Sequence, residues 1–214
     1  MNMPVRWRVL GLRVAALLLP VACFGVAHAE DGALSGGRLT FQPSEGVEGG
    51  VARSVPEYAS AESKWWTLGA GVAYDFDGST DVPLRGAFSY FLGDGVELSF
   101  ELAGWYFAQE GDDQIGASLS TIFRWHFYRK DPWTVYLDAG IGLLGASGDV
   151  PDGGTGFNFL PQAGAGVTRR LNDRGLRLQV GARWHHISNA RIFGDDENPD
   201  RDAPMVYGGL IFPF

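Results

Sequence analysis

The feature that most limits how this chain can fold is a period of two that recurs eight times. From Trp65 onward apolar side chains take every second position, in runs broken by polar turns. The first run carries Trp66, Leu68, Ala70, Val72, Tyr74 and Phe76. The last carries Val206, Gly208, Leu210, Phe212 and Phe214. Alternation of this kind puts the apolar residues of a run on one face of a β-strand. The opposite faces are small or polar and hold Asp75, Arg85, Glu97, Glu101, Arg124, Asp138, Gln162, Arg170, Arg177 and Arg183. Eight strands can close into a small barrel whose inner side chains just fill it, and closure removes the edges of an open sheet.

Alternation alone does not say which face is outside. A soluble barrel turns the apolar face in, and a membrane barrel turns it out. Several features favour the membrane. The polar face is nearly balanced, with four acids against five arginines. The only lysines are Lys64 and Lys130, neither on that face. Arginine suits desolvated ion pairs, whereas a wetted surface would use lysine freely. Aromatic residues gather at the ends of the runs, as in the girdles at two membrane interfaces. The final phenylalanine resembles the C-terminal signature of bacterial outer-membrane barrels. The expected fold is therefore all-β: an eight-stranded antiparallel transmembrane β-barrel of the bacterial outer membrane, over residues 65–214. Its interior is expected to be held by ion pairs among Glu97, Glu101, Asp138, Arg124, Arg177 and Arg183. With both termini periplasmic, the connections after the third, fifth and seventh runs face outside. The last of them, "NARIFGDDENPDRDA", is the longest.

The first 29 residues read as an export signal. Arg6, Arg8 and Arg13 precede an apolar stretch too short to span a membrane, and "AHA" ends it as a small-x-small cleavage site. Cleavage after Ala29 would take three arginines and no acid from a chain of net charge −8, leaving −11. That balance argues against nucleic acid as a partner. Cys23, the only cysteine, lies within the signal, so neither a disulfide nor a thiolate metal site is expected in the mature chain. Residues 30–64 have weak periodicity and read as a periplasmic extension.

Two of the three histidines beyond the signal are His185 and His186, at the top of the seventh run. His186 and Ser188 continue the outward parity of Trp184. A polar pair on that parity breaks the local pattern, and such breaks tend to be functional. A serine beside an imidazole has the parts of an activated nucleophile and needs an acid to hold the other ring nitrogen. The loop offers Asp195, Asp196, Glu197, Asp200 and Asp202. The bland reading is a strand that has ended and a solvated acidic loop. The acids lack the spacing of a tight calcium loop, and His185 and His186 face opposite ways, so no metal site is expected.

"HISNA" (His186 to Ala190), followed by Asn198-Pro199 and an acid three places on, resembles the lipid A 3-O-deacylases, the PagL-type outer-membrane esterases. The resemblance covers residues 65–214 in architecture and is specific from His186 to Asp202. It implies Ser188 as nucleophile, His186 as general base and Asn198 at the oxyanion. Asp202 stands in the place of the acid, with Glu197 as the alternative. Asn189 and Arg191 are further candidate substrate contacts, since a basic residue at 191 could meet a lipid phosphate. The implied substrate is the ester-linked acyl chain at the 3 position of lipid A, within lipopolysaccharide of the outer leaflet, hydrolysed without a cofactor. The chain departs from the pattern in having aspartate where glutamate is usual, in a loop about two residues longer, and in Arg191 where a small residue is usual. The resemblance leaves a homodimer open. The competing reading is a non-enzymatic barrel with a structural or surface-interaction role; phospholipase activity is a third.

Overall fold

The computed structural model describes residues 55–194 and 198–214. The strands are β1 (Lys64–Tyr74), β2 (Thr80–Gly93), β3 (Val96–Ala108), β4 (Gln114–Lys130), β5 (Trp133–Ala146), β6 (Phe157–Arg170), β7 (Arg177–Ile187) and β8 (Arg201–Pro213). Each pairs antiparallel with its sequence neighbours, and β1 pairs with β8, so the sheet closes. This is the expected eight-stranded antiparallel barrel. Short turns join β2–β3, β4–β5 and β6–β7 at the end that carries the C-terminus. The loops 75–79, 109–113 and 147–156, with residues 188–194 and 198–200, lie at the other end.

The outward parity is the apolar one. Leu68, Leu84, Leu102, Ile115, Leu119 and Val206 are each 60–64% exposed. A continuous apolar wall of this kind would be untenable in water and is the normal surface of a barrel in lipid. At the C-terminal end of the barrel Trp66, Phe88 and Phe214 pack ring against ring, with centroids 5.2–6.1 Å apart.

The interior is layered. In the middle runs one chain of polar and charged groups. His126 meets Glu97 (2.8 Å), and Glu97 meets Arg124 (2.7 Å). Arg124 meets Asp138 (3.3 Å), and Asp138 meets Arg183 (2.9 Å). Arg183 meets Glu101 (3.1 Å), which meets Arg85 (2.9 Å). Three carboxylates thus alternate with three guanidiniums across β2, β3, β4, β5 and β7. Arg124 lies over the ring of Tyr136, and Arg85 and Arg183 lie over Tyr207, so the cations are also covered by aromatic faces. The ion-pair expectation holds for five of its six residues. Arg177 is the exception: it donates to Thr168 Oγ1 (3.0 Å) and to the Pro132 carbonyl (2.9 Å), nearer the turn end and beyond reach of those acids. Arg170, placed on the inner face by its parity, lies exposed at the end of its strand with Asp131 (2.6 Å).

Above and below the charges the interior is apolar. Toward the loops, Trp105, Phe107, Leu144, Val150, Leu160, Ile187 and Met205 form one cluster. Toward the turns, Ala59, Trp65, Phe91 and Ile211 form another, with Tyr58 packed against it. The signal (1–29) and most of the extension lie outside the described residues. The stretch 55–63, grouped with that extension by its weak periodicity, is a floor to the barrel. Tyr58 stands edge-on to Trp65, Phe91 and His126 at 4.9–5.5 Å, beneath the Arg177 guanidinium at 4.4 Å. The Ala59 carbonyl accepts from Gly95 N (2.8 Å), which pins this floor to the β2–β3 turn.

Arg183→Ala would leave Asp138 and Glu101 to share Arg124 and Arg85. Removing one partner of a buried pair costs about 3–5 kcal/mol, because it strands charge. The expected result is a lower urea midpoint of unfolding, followed by tryptophan fluorescence in detergent micelles. A midpoint equal to the parent's would deny the ionic chain its structural role.

Candidate active site

The site is built at the loop end of β7 and β8. The ladder between these strands sets His186 directly opposite Asp202. Opposed residues on one face of an antiparallel pair have Cβ atoms about 4.5–5.5 Å apart, so short side chains can meet. Here His186 Nδ1 lies 2.9 Å from Asp202 Oδ1. Both side chains are partly exposed on the outer wall, the ring at 30% and the carboxylate at 47%. The apolar run of the last strand starts only at Val206, yet β8 begins at Arg201. Asp202 therefore belongs to a strand, not to the loop in which sequence places it.

Ser188 lies just past β7 and keeps its register. It bridges to Phe159 of β6, whose N–H donates to the Ser188 carbonyl (2.8 Å), continuing the ladder that pairs Gln162 with His185. The serine therefore keeps the outward parity of His186, two residues away. Side chains so spaced on one strand face are neighbours.

Beyond Ser188 the backbone turns at once. Ala190 and Arg191 both have positive φ, at 54° and 62°. Such a conformation costs a residue with a Cβ and needs support from its surroundings. Asn189 supplies it. Its Oδ1 accepts from Arg191 N (2.8 Å), its Nδ2 donates to Thr155 Oγ1 (3.2 Å), and its own N–H donates to Asn198 Oδ1 (2.8 Å). Asn189 is thus a buried frame residue, 1% exposed. The Asn198 amide is fixed through its oxygen, and its Nδ2 has no partner among the described residues. Arg191 is exposed. Glu197, with Asp195 and Asp196, lies outside the described residues.

A further carboxylate, that of Asp200, comes close. Its ligand atom and those of His186 and Asp202 lie within 4.8 Å of one another. A cation would be the use of such a trio, but His186 Nδ1 and Asp202 Oδ1 are already engaged with each other. What the arrangement does without one is hold the imidazole by Nδ1 and leave Nε2 for another partner.

Behind this wall stands a group that sequence reasoning missed. On the inner face His185 Nε2 meets Asp81 Oδ2 (3.1 Å), and Arg201 Nη1 meets Asp81 Oδ1 (2.8 Å). His185 and His186 are consecutive in β7, as are Arg201 and Asp202 in β8. One carboxylate of β2 thus clamps, from inside, the two backbone segments that present His186 and Asp202 outside. Asp75, in the β1–β2 loop, adds to it through Arg201 Nε (3.5 Å). Burial raises the Asp75 carboxyl, but hydrogen bonds from Ser79 and Asp77, with Arg201, hold it below the ordinary carboxylate range.

The family model of the lipid A 3-O-deacylases (PagL) matches residues 68–207, which include every residue of this site. No curated protein matches the chain. Among solved structures the chain is similar to the outer membrane enzyme PagL, at 20% identity and a TM-score of 0.55, over 69% of this chain and 99% of that one. It is similar to Neisserial surface protein A at 17% identity and the same TM-score, over 71% of this chain and 97% of that one. One of these is an enzyme and the other a surface protein, and at such identities the likenesses bear on the fold alone.

The clamp has its own test. Asp81→Ala should loosen β7 against β8 behind the site while the rest of the ring stays closed. Amide hydrogen exchange, followed by mass spectrometry, should then quicken at residues 185–187 and 201–203 and hardly change in β3 and β4. Unchanged protection at both segments would show that Asp81 holds nothing there.

Proposed function

Since the chain belongs to the lipid A 3-O-deacylase (PagL) family, we propose that it hydrolyses the ester linking an acyl chain to the 3 position of lipid A, using Ser188, His186 and Asp202 on the lipid-facing wall. The family is one of ester hydrolases, and the fold is that of an outer-membrane barrel. The observation that carries the mechanism is the cross-strand hydrogen bond between His186 Nδ1 and Asp202 Oδ1, with Ser188 in register on the same face.

Ser188 Oγ attacks the ester carbonyl carbon as His186 Nε2 takes its proton. Asp202 holds the ring and stabilises its charged form without itself taking the proton. The negative charge that develops on the carbonyl oxygen needs a donor fixed in advance. Asn198 Nδ2 is that donor, because the amide oxygen is anchored by the Asn189 N–H. Collapse breaks the acyl–oxygen bond, and His186 returns the proton to the departing 3-hydroxyl. Water, deprotonated by His186, then attacks the acyl-serine, releasing the fatty acid and restoring Ser188. Among the described residues Asp202 is the carboxylate bonded to the ring, which favours it over Glu197. Asn189 frames the loop, and the exposed Arg191 offers a guanidinium to a lipid phosphate.

The substrate follows from the placement. The interior of this barrel is filled by the ionic chain and the apolar clusters above and below it, which leaves no lumen for an acyl chain. A nucleophile on its outer wall, at the loop end, meets esters that already sit in the outer leaflet, as those of lipopolysaccharide do. The likeness to a surface protein gives the non-enzymatic reading no support, since it concerns the fold.

Ser188→Ala and His186→Ala should each lower turnover by on the order of 10⁴-fold or more while the barrel still folds, since parts of a triad act as a unit. Asp202→Asn should cost less, and Glu197→Gln little. The measurement is mass spectrometry of purified lipid A before and after treatment, with the position of the lost chain assigned. Full deacylation by the Ser188→Ala protein would end the esterase mechanism. Loss of chains from phospholipid instead would change the substrate class.

A further inference from the structure

We propose that Trp184 is a positioning residue for this reaction, its indole N–H locking the Asp202 carboxylate in the orientation that His186 requires. The proposal rests on the reading of Asp202 as the acid of the site. Trp184 Nε1 donates to Asp202 Oδ1 at 2.9 Å, and the same oxygen receives His186 Nδ1 at 2.9 Å. One carboxylate oxygen is thus held from two sides by side chains of a single strand.

The geometry follows from strand parity. Trp184 precedes His186 by two residues and shares its face. Across the ladder it stands opposite Pro204, so Asp202 lies on the diagonal. Diagonal neighbours are too far apart for small side chains but within reach of an aromatic one. The chemistry fits the task. An indole N–H donates and cannot accept, and it carries no charge. It can fix an oxygen without competing with the imidazole as a cation and without taking its proton.

The surroundings make such a donor valuable. Asp75, Asp77, Glu110, Asp152 and Asp200 line the same mouth as Trp184 and Asp202. Like charges nearby disfavour another carboxylate. Arg201 is the cation of that mouth, and its guanidinium is committed to Asp81 and Asp75. Among the described residues the two donors on the Asp202 carboxylate are therefore His186 and Trp184. The rest of the indole is half exposed on the outer wall, where a ring with one polar edge is well placed at a membrane interface.

The test compares Trp184→Phe with the parent, alone and on an Asp202→Ala background. Folding of each variant is checked by heat-modifiable gel migration, and release of fatty acid from purified lipopolysaccharide in mixed micelles is measured. Phenylalanine keeps an interfacial ring and removes only the donor. The expected result is a drop in kcat of about tenfold, the scale of a hydrogen bond to a charged group, with KM unchanged. On the Asp202→Ala background the same change should cost nothing more, because its partner is gone. A parent-like kcat, an equal loss on both backgrounds, or a loss confined to KM would overturn the proposal. Ser188→Ala, run alongside, keeps the two readings apart. If it is inactive while Trp184→Phe is parent-like, only the role of Trp184 fails; if it is active, the esterase mechanism itself fails.

Discussion

In a lipid environment every backbone N–H and C=O must find its partner within the protein, and the rest of this structure follows from that demand. A sheet meets it only by closing. Closing with eight strands leaves a ring so narrow that inner side chains must both fill the space and satisfy one another. The chain from His126 to Arg85 does so for most of the polar groups, Arg85 Nε being left without a partner among the described residues, and apolar clusters fill the ends. Space is tight enough that two glycines are needed where the large rings lie. A Cβ at Gly166 would strike the Tyr136 hydroxyl, and one at Gly181 would strike the Tyr207 ring. These two tyrosines share a hydrogen bond of 2.8 Å and flank the arginines, so the glycines make room for the ionic layer.

A barrel filled in this way has no interior left for a substrate, which moves any chemistry to the wall or the mouth. The period of two then becomes an asset. Successive residues of one strand serve opposite faces, so the inner residue of each pair can lock the backbone that the outer residue uses. His185 and Arg201 are held inside by Asp81, while His186 and Asp202 stand outside. Rigidity of the support is what a preformed donor–acceptor constellation requires. On the proposed mechanism the same logic would let Ser188 serve from the outer wall: its order would come from the interior, not from contacts with solvent.

Much of this was legible in the sequence, and the gaps have physical causes. Alternation disclosed the strands, their count and the outward face. Parity put Ser188 on the face of His186, and the bridge from Ser188 to Phe159 keeps that register. Parity gave no depth along the barrel axis, so Arg177 was grouped with acids that lie a layer away. Nor did it disclose the apolar inner layers, because Trp105, Phe107 and Met205 share a parity with charged residues and mask the contrast. The floor has no period to read, since only its end, Glu62 and Ser63, bonds to a strand, at Phe91 of β2. Asp81 has the inward parity of its run, but its partners lie over 100 residues away and are fixed only by register. Trp184 read as one more girdle aromatic, and nothing local announced that its N–H has a carboxylate to meet.

The choice of acid shows how register bears on the proposed chemistry. A carboxylate carried by a loop must reach back to the imidazole and pay conformational entropy for the reach. Asp202 avoids that cost because it is the second residue of β8 and stands directly opposite His186. For a cross-strand pair a short side chain is enough, and an extra methylene would add a rotor to be fixed. The loop between the two strands is then relieved of the duty of placing the acid. Its fixed parts serve other ends: the left-handed turn at Ala190 and Arg191 takes the chain away as soon as Ser188 has paired with Phe159, and Asn189 and Asn198 tie the two ends of the loop together. A longer loop and a shorter acid are therefore compatible departures. On the proposed mechanism the acid is placed by the ladder, and loop length can vary as long as the bond between Asn189 and Asn198 is kept.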